Sequence, residues 1–291
     1  MSELVQFLLS GIAAGGIYAL VAVGFVTVYN VLGIINFAQG EFAMLGALVA
    51  SSLVTRGVPL LLAVPLAVAA AALVGAAVER GVLRPAARSS ELVRIIITIG
   101  VSIFLRGIAL TIWSSQSYAL PPFTRGEPLT VLGAAFARQD VWVLGVAAAA
   151  MLALYVLFER TFFGAALRAS VMSRDASRLM GISPALMSLV AYTLSAALGA
   201  LAGVVITPIA LATYDMGIML GLKGFVAAVL GGLVSAPGAV AGALLLGVVE
   251  SFAAGLLSSG YRDAIAFALL LGVLVVRPTG LFPAAGAERR V

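Results

Sequence analysis

Five ionisable residues stand inside apolar runs of this chain: Glu41, Arg106, Asp215, Lys223 and Glu250. A charge in such a setting is costly unless it is paired or hydrated, so each is either a structural partner or a group on a solute or ion path. Their chemistry is that of charge and hydrogen bonding, because the sequence holds no histidine and no cysteine. That composition excludes imidazole base catalysis, thiolate nucleophiles, disulfides and Cys/His metal sites. No G-x-x-x-x-G-K-[ST] loop is present to cradle nucleotide phosphates. Glu41 is the strongest of the five candidates. It shares the stretch NVLGIINFAQGEF, residues 30–42, with Asn30, Asn36 and Gln39, and Gly33 and Gly40 loosen any helix there. Irregular backbone survives in a membrane only where protein or a water-filled cavity satisfies it. Asn36 and Gln39 offer donors and acceptors without adding charge. Asn36, Gln39 and Glu41 are therefore expected to line a solute path. Arg106 can instead snorkel or pair structurally, and Asp215 and Lys223 can lie at an outer interface.

A second stretch, FGAALRASVMSRDASRLMGISP at residues 163–184, carries a different pattern. Placed on one helix, Ala169, Met172, Ala176, Leu179 and Met180 form an apolar stripe, while Arg168, Arg174, Asp175 and Arg178 lie on a charged face. It is amphipathic and too polar to span. Gly181 suits a left-handed stop, Ser183 can cap the next helix and Pro184 fits that helix's first position.

The elements that must position these residues are membrane helices. Of 291 residues 63% are hydrophobic and only 10% charged, with a mean hydropathy of +1.17, which describes a polytopic membrane protein. The net charge of +5 sits mostly in loops, where it sets orientation rather than nucleic-acid binding. The N-terminal run lacks a preceding basic region, so it is expected to be the first span rather than a cleaved leader.

A span needs roughly 20 apolar residues. Spans are expected at about 5–29, 42–55, 59–78, 94–113, 141–158 and 184–206. Gly11 with Gly15, and Gly199 with Gly203, give close-packing faces. Residues 222–251 are apolar but cut at Gly231-Gly232 and Pro237-Gly238, which reads as a broken hairpin or two steep helices. A last span runs over about 263–276. The basic break with Arg80, Arg84, Arg88 and Arg94, and the 160–183 segment, are expected inside by the positive-inside rule, as are Arg277, Arg289 and Arg290. Two spans then separate them, Trp113 and Trp142 sit at the far interface, and the 114–140 loop faces outward. The fold class is an all-α polytopic membrane protein with about eight or nine transmembrane helices and broken or re-entrant segments, forming one domain over 1–291. The N-terminus is expected outside, which in a bacterium with two membranes is the periplasm, and the C-terminus in the cytoplasm.

Three motifs carry a resemblance. INFAQGEFAMLGA at 35–47 is similar to an NFAHGE/NFAQGE motif. GAALRASVMSRDASRLMGI at 164–182 resembles a G-x-x-x-R-A…A-x-x-x-G-I loop at Gly164, Arg168, Ala169, Ala176, Gly181 and Ile182. LKGFVAAVLGGLVSAPGAVAGALLLGVVES at 222–251 and VVRPTGLF at 275–282 fit the same C-terminal half. Together they resemble the membrane permeases of branched-chain amino-acid ABC importers, of the LivH type, over nearly the full length.

That resemblance implies the ABC importer permease fold and a transport subunit rather than an enzyme. It implies a second permease, either a related paralogue or another copy, with two cytoplasmic ATPases and a periplasmic solute-binding protein. The chain would use no cofactor itself, ATP being consumed by its partners. The solute would be a branched-chain or related amino acid crossing the bacterial inner membrane. The 160–183 segment would be the coupling element that docks in an ATPase groove, through Gly164, Arg168, Ala169, Met172, Ala176, Leu179 and Gly181. The alternative is an ion-coupled secondary transporter of small polar solutes, in which Glu41, Asp215 or Glu250 carries protons or sodium.

Overall fold

The computed structural model describes residues 2–131, 133–277 and 279–282; Arg289 and Arg290, expected to mark one side, lie outside the described residues. In chain order the helices are α1 (Ser2–Leu32), α2 (Gln39–Thr55), α3 (Leu60–Val78) and α4 (Glu91–Trp113). A short hairpin of β1 (Leu129–Val131) and β2 (Ala134–Phe136) follows, then α5 (Arg138–Arg160), α6 (Phe162–Met172) and α7 (Arg174–Leu179). The chain ends with α8 (Pro184–Ile206), α9 (Met216–Gly231), α10 (Ala236–Leu256) and α11 (Arg262–Val276).

α1 is apolar on all sides, as a helix must be to sit at the centre of a bundle. It packs on α10, α8, α9 and α5. Gly11 and Gly15 are the contact with α10, where a Cβ at Gly15 would stand 2.7 Å from the Leu244 backbone. Gly199 and Gly203 of α8 face α2, and a Cβ at Gly203 would collide with the Ala43 carbonyl. Both small-residue pairs thus serve close packing, as their spacing implied.

Hydrogen bonds fix which ends lie together. Arg94 Nη1 donates to the Leu32 carbonyl at 3.0 Å and Arg84 Nη2 to the Ala185 carbonyl at 3.0 Å, so the C-terminus of α1, the basic break and the start of α8 share one end. At the opposite end Gln6 exchanges two bonds of 2.8 Å with the Ala135 backbone, and Gln139 Nε2 donates to the Val205 carbonyl at 3.0 Å. Trp113 Nε1 donates to Ser52 Oγ at 2.6 Å and Trp142 Nε1 to Thr124 Oγ1 at 2.8 Å, both at this hairpin end.

Among the described residues seven helices are long and apolar enough to cross a membrane. α2, with 17 residues, and α9, with 16, are shorter. Turns and irregular chain at 33–38 and 207–215 continue each of these short helices, so among the described residues nine passes run between the ends, the upper figure of the expectation. The sequence breaks at Gly231-Gly232 resolve into the short α9 and the full-length α10. With this count Ser2 and Val276 lie at opposite ends of the bundle.

The passes form two sets of opposite direction. α1 packs on α10 as α8 packs on α3, α2 packs on α8 as α9 packs on α1, and α2 meets α3 as α9 meets α10. The sets α1–α4 and α8–α11 therefore repeat one arrangement upside down, with α5 between them. This is the plan that places shortened helices at mid-membrane. The 114–140 loop carries the hairpin. Two local expectations are corrected. Gly40 does not loosen a helix but lies within α2, where a Cβ would meet the Gly217 carbonyl of α9. The 163–184 segment is two helices, not one, as described next.

Candidate solute path and docking surface

α1 stops at Leu32, Gly33 turns the chain in the left-handed region at φ +67, and α2 begins only at Gln39. The chain between them re-enters the bundle. Phe37 N donates to Thr98 Oγ1 of α4 at 3.1 Å. Gln39 meets Ser195, the twelfth of the 23 residues of α8, so α2 starts near the middle of that span. Asn36 and Gln39 are 0% exposed. Asn36 Oδ1 accepts from Tyr192 OH at 2.8 Å and from Ala38 N at 3.1 Å. Gln39 Nε2 donates to the Ser195 carbonyl at 2.9 Å, and Gln39 Oε1 accepts from Ser195 Oγ. Both side chains hold the re-entrant backbone in place.

Glu41 is placed differently. Its Oε1 accepts from Ser102 Oγ at 2.8 Å and Arg106 Nη2 at 2.9 Å, joining α2 to α4. Ser102 is the twelfth of the 23 residues of α4, so this pair also lies at mid-span. Glu41 and Arg106 line a cavity of about 240 Å³ whose other walls include Phe25, Phe37, Ile99 and Ile218. Of Asn36, Gln39 and Glu41, the three residues expected to line a path, only Glu41 lies on this cavity. Arg106 joins it, and the sequence had left Arg106 between pairing and snorkelling. Ser102, Tyr192 and Ser195 were missed, because a lone hydroxyl in an apolar run carries no signal of its partner.

Lys223 and Glu250 form a separate cluster. Lys223 Nζ lies 3.2 Å from Glu250 Oε2 and 2.8 Å from Asp263 Oδ1, and Tyr18 OH donates to Glu250 Oε2 at 2.7 Å. These contacts tie α1, α9, α10 and α11 together. Asp215 is exposed at the start of α9, as an interface residue would be.

At the basic end the chain leaves α5, turns and forms α6 and α7. Ser173 separates them with extended backbone at φ −155 and ψ 113, and its Oγ caps α7 by accepting from Ala176 N at 3.2 Å. The apolar stripe therefore divides, with Ala169 and Met172 on α6 and Ala176 and Leu179 on α7. α6 turns Gly164, Ala166, Leu167 and Ser170 inward, where Ala166 and Leu167 pack against Met187 of α8. Gly164 is required by that turn, since a Cβ would stand 2.1 Å from the Phe158 carbonyl. Arg168 bonds the Phe158 carbonyl and pairs with Glu159 at 3.1 Å. Met172, Leu179 and Met180 are 88%, 89% and 81% exposed. The stop is as expected: Gly181 sits at φ +78, Ile182 N donates to the Ser177 carbonyl at 2.9 Å and Gly181 N to the Arg178 carbonyl at 3.1 Å. Ser183 caps α8 and Pro184 opens it.

Helices that begin at mid-span, with a charged pair beside a cavity, follow the plan of membrane transporters. Comparison with known proteins narrows the class. The chain belongs to the family described as branched-chain amino acid transport system / permease component, whose model matches residues 7–274. It is 35% identical over 95% of its length, and 94% of the relative, to the high-affinity branched-chain amino acid transport system permease protein LivH of Salmonella typhimurium. It is 34% identical, with the same coverage, to the corresponding permease protein BraD of Pseudomonas aeruginosa. A solved structure, PsaBC from Streptococcus pneumoniae in complex with Fab, aligns with a TM-score of 0.49 at 13% identity, over 96% of this chain and 91% of that one, a likeness too distant to carry an argument. The resemblance seen in the motifs is thus borne out. The chain is a multi-pass membrane protein and the permease subunit of an ABC importer, one component of a larger transport system.

Proposed function

We propose that this permease carries branched-chain or related amino acids into the cell across the bacterial inner membrane. It works beside a second, related permease, with two ATPases at its basic end and a periplasmic solute-binding protein at its hairpin end. The observation that carries this reading is the exposure of Met172 and Leu179 on the short helices that follow the membrane span α5, and of Met180 just after them. Methionine and leucine left bare beside arginines are suited to a partner groove, the methionines adapting to its shape. The arginine content of that end supports a cytoplasmic side for it, with the N-terminus and the 114–140 hairpin in the periplasm and the C-terminus inside. The names of the relatives support the solute class.

In this reading residues 160–183 are the coupling element. Met172, Ala176, Leu179 and the half-buried Ala169 meet the ATPase, and Gly164 and Gly181 set the turns on either side. Arg168 steadies α6 against α5. ATP is bound and hydrolysed by the partner subunits, and the permease follows because packed interfaces move as units. The solute path runs past the 36–41 segment, whose backbone Asn36 and Gln39 shape and whose carboxylate Glu41 presents.

Ala176 is exposed and small. Ala176→Glu would place an unpaired charge in the ATPase contact, at a cost of about 3 kcal/mol or more if fully buried. That corresponds to an affinity loss of roughly 100-fold. The expected outcome is a normally abundant permease that no longer co-purifies with ATPase and no longer supports substrate-stimulated ATP hydrolysis. Wild-type levels of both would show residues 160–183 to be only a basic loop.

A further inference from the structure

We infer that the cavity between α2, α4 and α9 is a mid-membrane recognition site for a zwitterionic α-amino acid with an apolar side chain. The inference rests on the importer reading above and adds the atoms that select the solute. Glu41 is 1% exposed and uses one carboxylate oxygen, Oε1, for Ser102 and Arg106. Its other oxygen, Oε2, is buried with no hydrogen-bond partner among the described residues. Arg106 spends Nη2 on Glu41 and on Ser102 Oγ, while its Nε is likewise buried and unpartnered among the described residues. A buried carboxylate oxygen and a buried guanidinium N–H left unmade are each costly, so a ligand that satisfies both is favoured.

The two groups belong to one ion pair of no net charge, so a lone cation or anion would leave one of them opposed by a like charge. A zwitterion satisfies both. Its ammonium group donates to Glu41 Oε2 and its carboxylate accepts from the guanidinium of Arg106, which presents planar donors matched to that shape. Apart from Ser102, whose hydroxyl is engaged by Glu41 and Arg106, the rest of the cavity is apolar. Phe25, Phe37, Ile99, Ile218, Leu222 and Phe225 line it, so an aliphatic side chain is received and a polar one meets no partner. Gly217 and Gly221 complete the wall from α9, and a Cβ on Gly217 would stand 2.6 Å from Glu41 Oε2, so any side chain there would press on that buried oxygen. Arg106 remains 27% exposed, which leaves a way in. The solute-binding protein makes the first selection of solute, and this cavity makes a second one inside the membrane.

The absence of cysteine from the sequence permits a direct test. Ile99 lines the cavity and is 41% exposed. Ile99→Cys permease, in the full complex in proteoliposomes, is treated with a small methanethiosulfonate reagent and the label is read by mass on this chain. Saturating leucine should slow the reaction at least fivefold. Neither 4-methylpentanoate, which lacks the amine, nor 3-methylbutylamine, which lacks the carboxylate, should do so. Adding Glu41→Gln and Arg106→Gln together avoids leaving either charge alone, and should abolish protection by leucine while the cysteine still reacts. Equal protection by a one-charge analogue, protection that survives the neutral pair, or a cysteine that never reacts would each overturn the site. Failure of the importer reading shows separately, as absence of ATP-driven leucine uptake by the wild-type complex.

Discussion

Gly40→Ala tests whether the two shortened helices must touch at mid-membrane. A Cβ at position 40 would stand 1.9 Å from the Gly217 carbonyl oxygen and 2.8 Å from Gly221 Cα, whereas ordinary contact begins at 3.4 Å. Both obstacles are α9 backbone, so no rotamer change relieves them. α2 and α9 would have to part by roughly 1.5 Å, and a gap of about 0.5–1 Å already forfeits a quarter to a half of a contact's attraction. Overpacking of this kind costs about 3 kcal/mol at its upper end. Alanine's better helix propensity returns at most about 1 kcal/mol. At about 2–4 °C per kcal/mol for a chain of this size, the melting temperature of the purified permease should fall by about 5–10 °C. Gly100→Ala on α4 is the control, since nothing lies within 4 Å of its Cβ position. That variant should melt at or slightly above the wild-type temperature. A Gly40→Ala protein that melts within about 1 °C of wild type would refute the crossing.

Three further outcomes are expected. Ser117 and Ser173 are both exposed, at opposite ends of the bundle; Ser117→Cys should react with a membrane-impermeant thiol reagent in intact cells and Ser173→Cys should not, and the reverse pattern would invert the topology. Glu79 is 2% exposed and pairs with Arg84 at 3.0 Å. Arg84→Ala strands that carboxylate and should cost about 3 kcal/mol in thermal unfolding, of which the double variant Glu79→Gln/Arg84→Gln recovers most. Equal melting of the single and double variants would show the pair to be idle. Glu41→Gln should lower leucine uptake at least tenfold while ATPase co-purification persists, and unchanged uptake kinetics would reduce Glu41 to a packing role.

Much of this fold is legible in the sequence because membrane helices are written in local terms. Apolar length, arginine-rich breaks and the Gly181-Ile182-Ser183-Pro184 boundary depend on neighbours along the chain, and each is found where its residues imply. The hairpin at 129–136 was not read, because three-residue strands hold too little alternation; Thr130 and Val131 before Gly133 at φ +81 were the signal available. The split of α6 from α7 escaped notice for a similar reason. A helical wheel drawn over 163–181 assumes continuity, whereas Ser173 can end one helix and cap the next. The candidate site was half legible. Glu41 stands out as a charge in a glycine-broken apolar stretch, but its partner Arg106 lies 65 residues away, and nothing local distinguishes a paired arginine from a snorkelling one. Asn36 and Gln39 show the same limit, since their bonding to Tyr192 and Ser195 is a property of the assembled bundle.

The central claim is that this permease moves amino acids at the expense of ATP hydrolysed by partners that grip residues 160–183. The most direct measurement is uptake of labelled leucine into proteoliposomes holding the permease with its partner permease and ATPases, with the solute-binding protein outside and ATP trapped within. Uptake should require ATP, should persist when ionophores collapse proton and sodium gradients, and should be lost with Ala176→Glu. Uptake that proceeds without ATP and stops when a gradient is collapsed would contradict the account and make the chain an ion-coupled carrier.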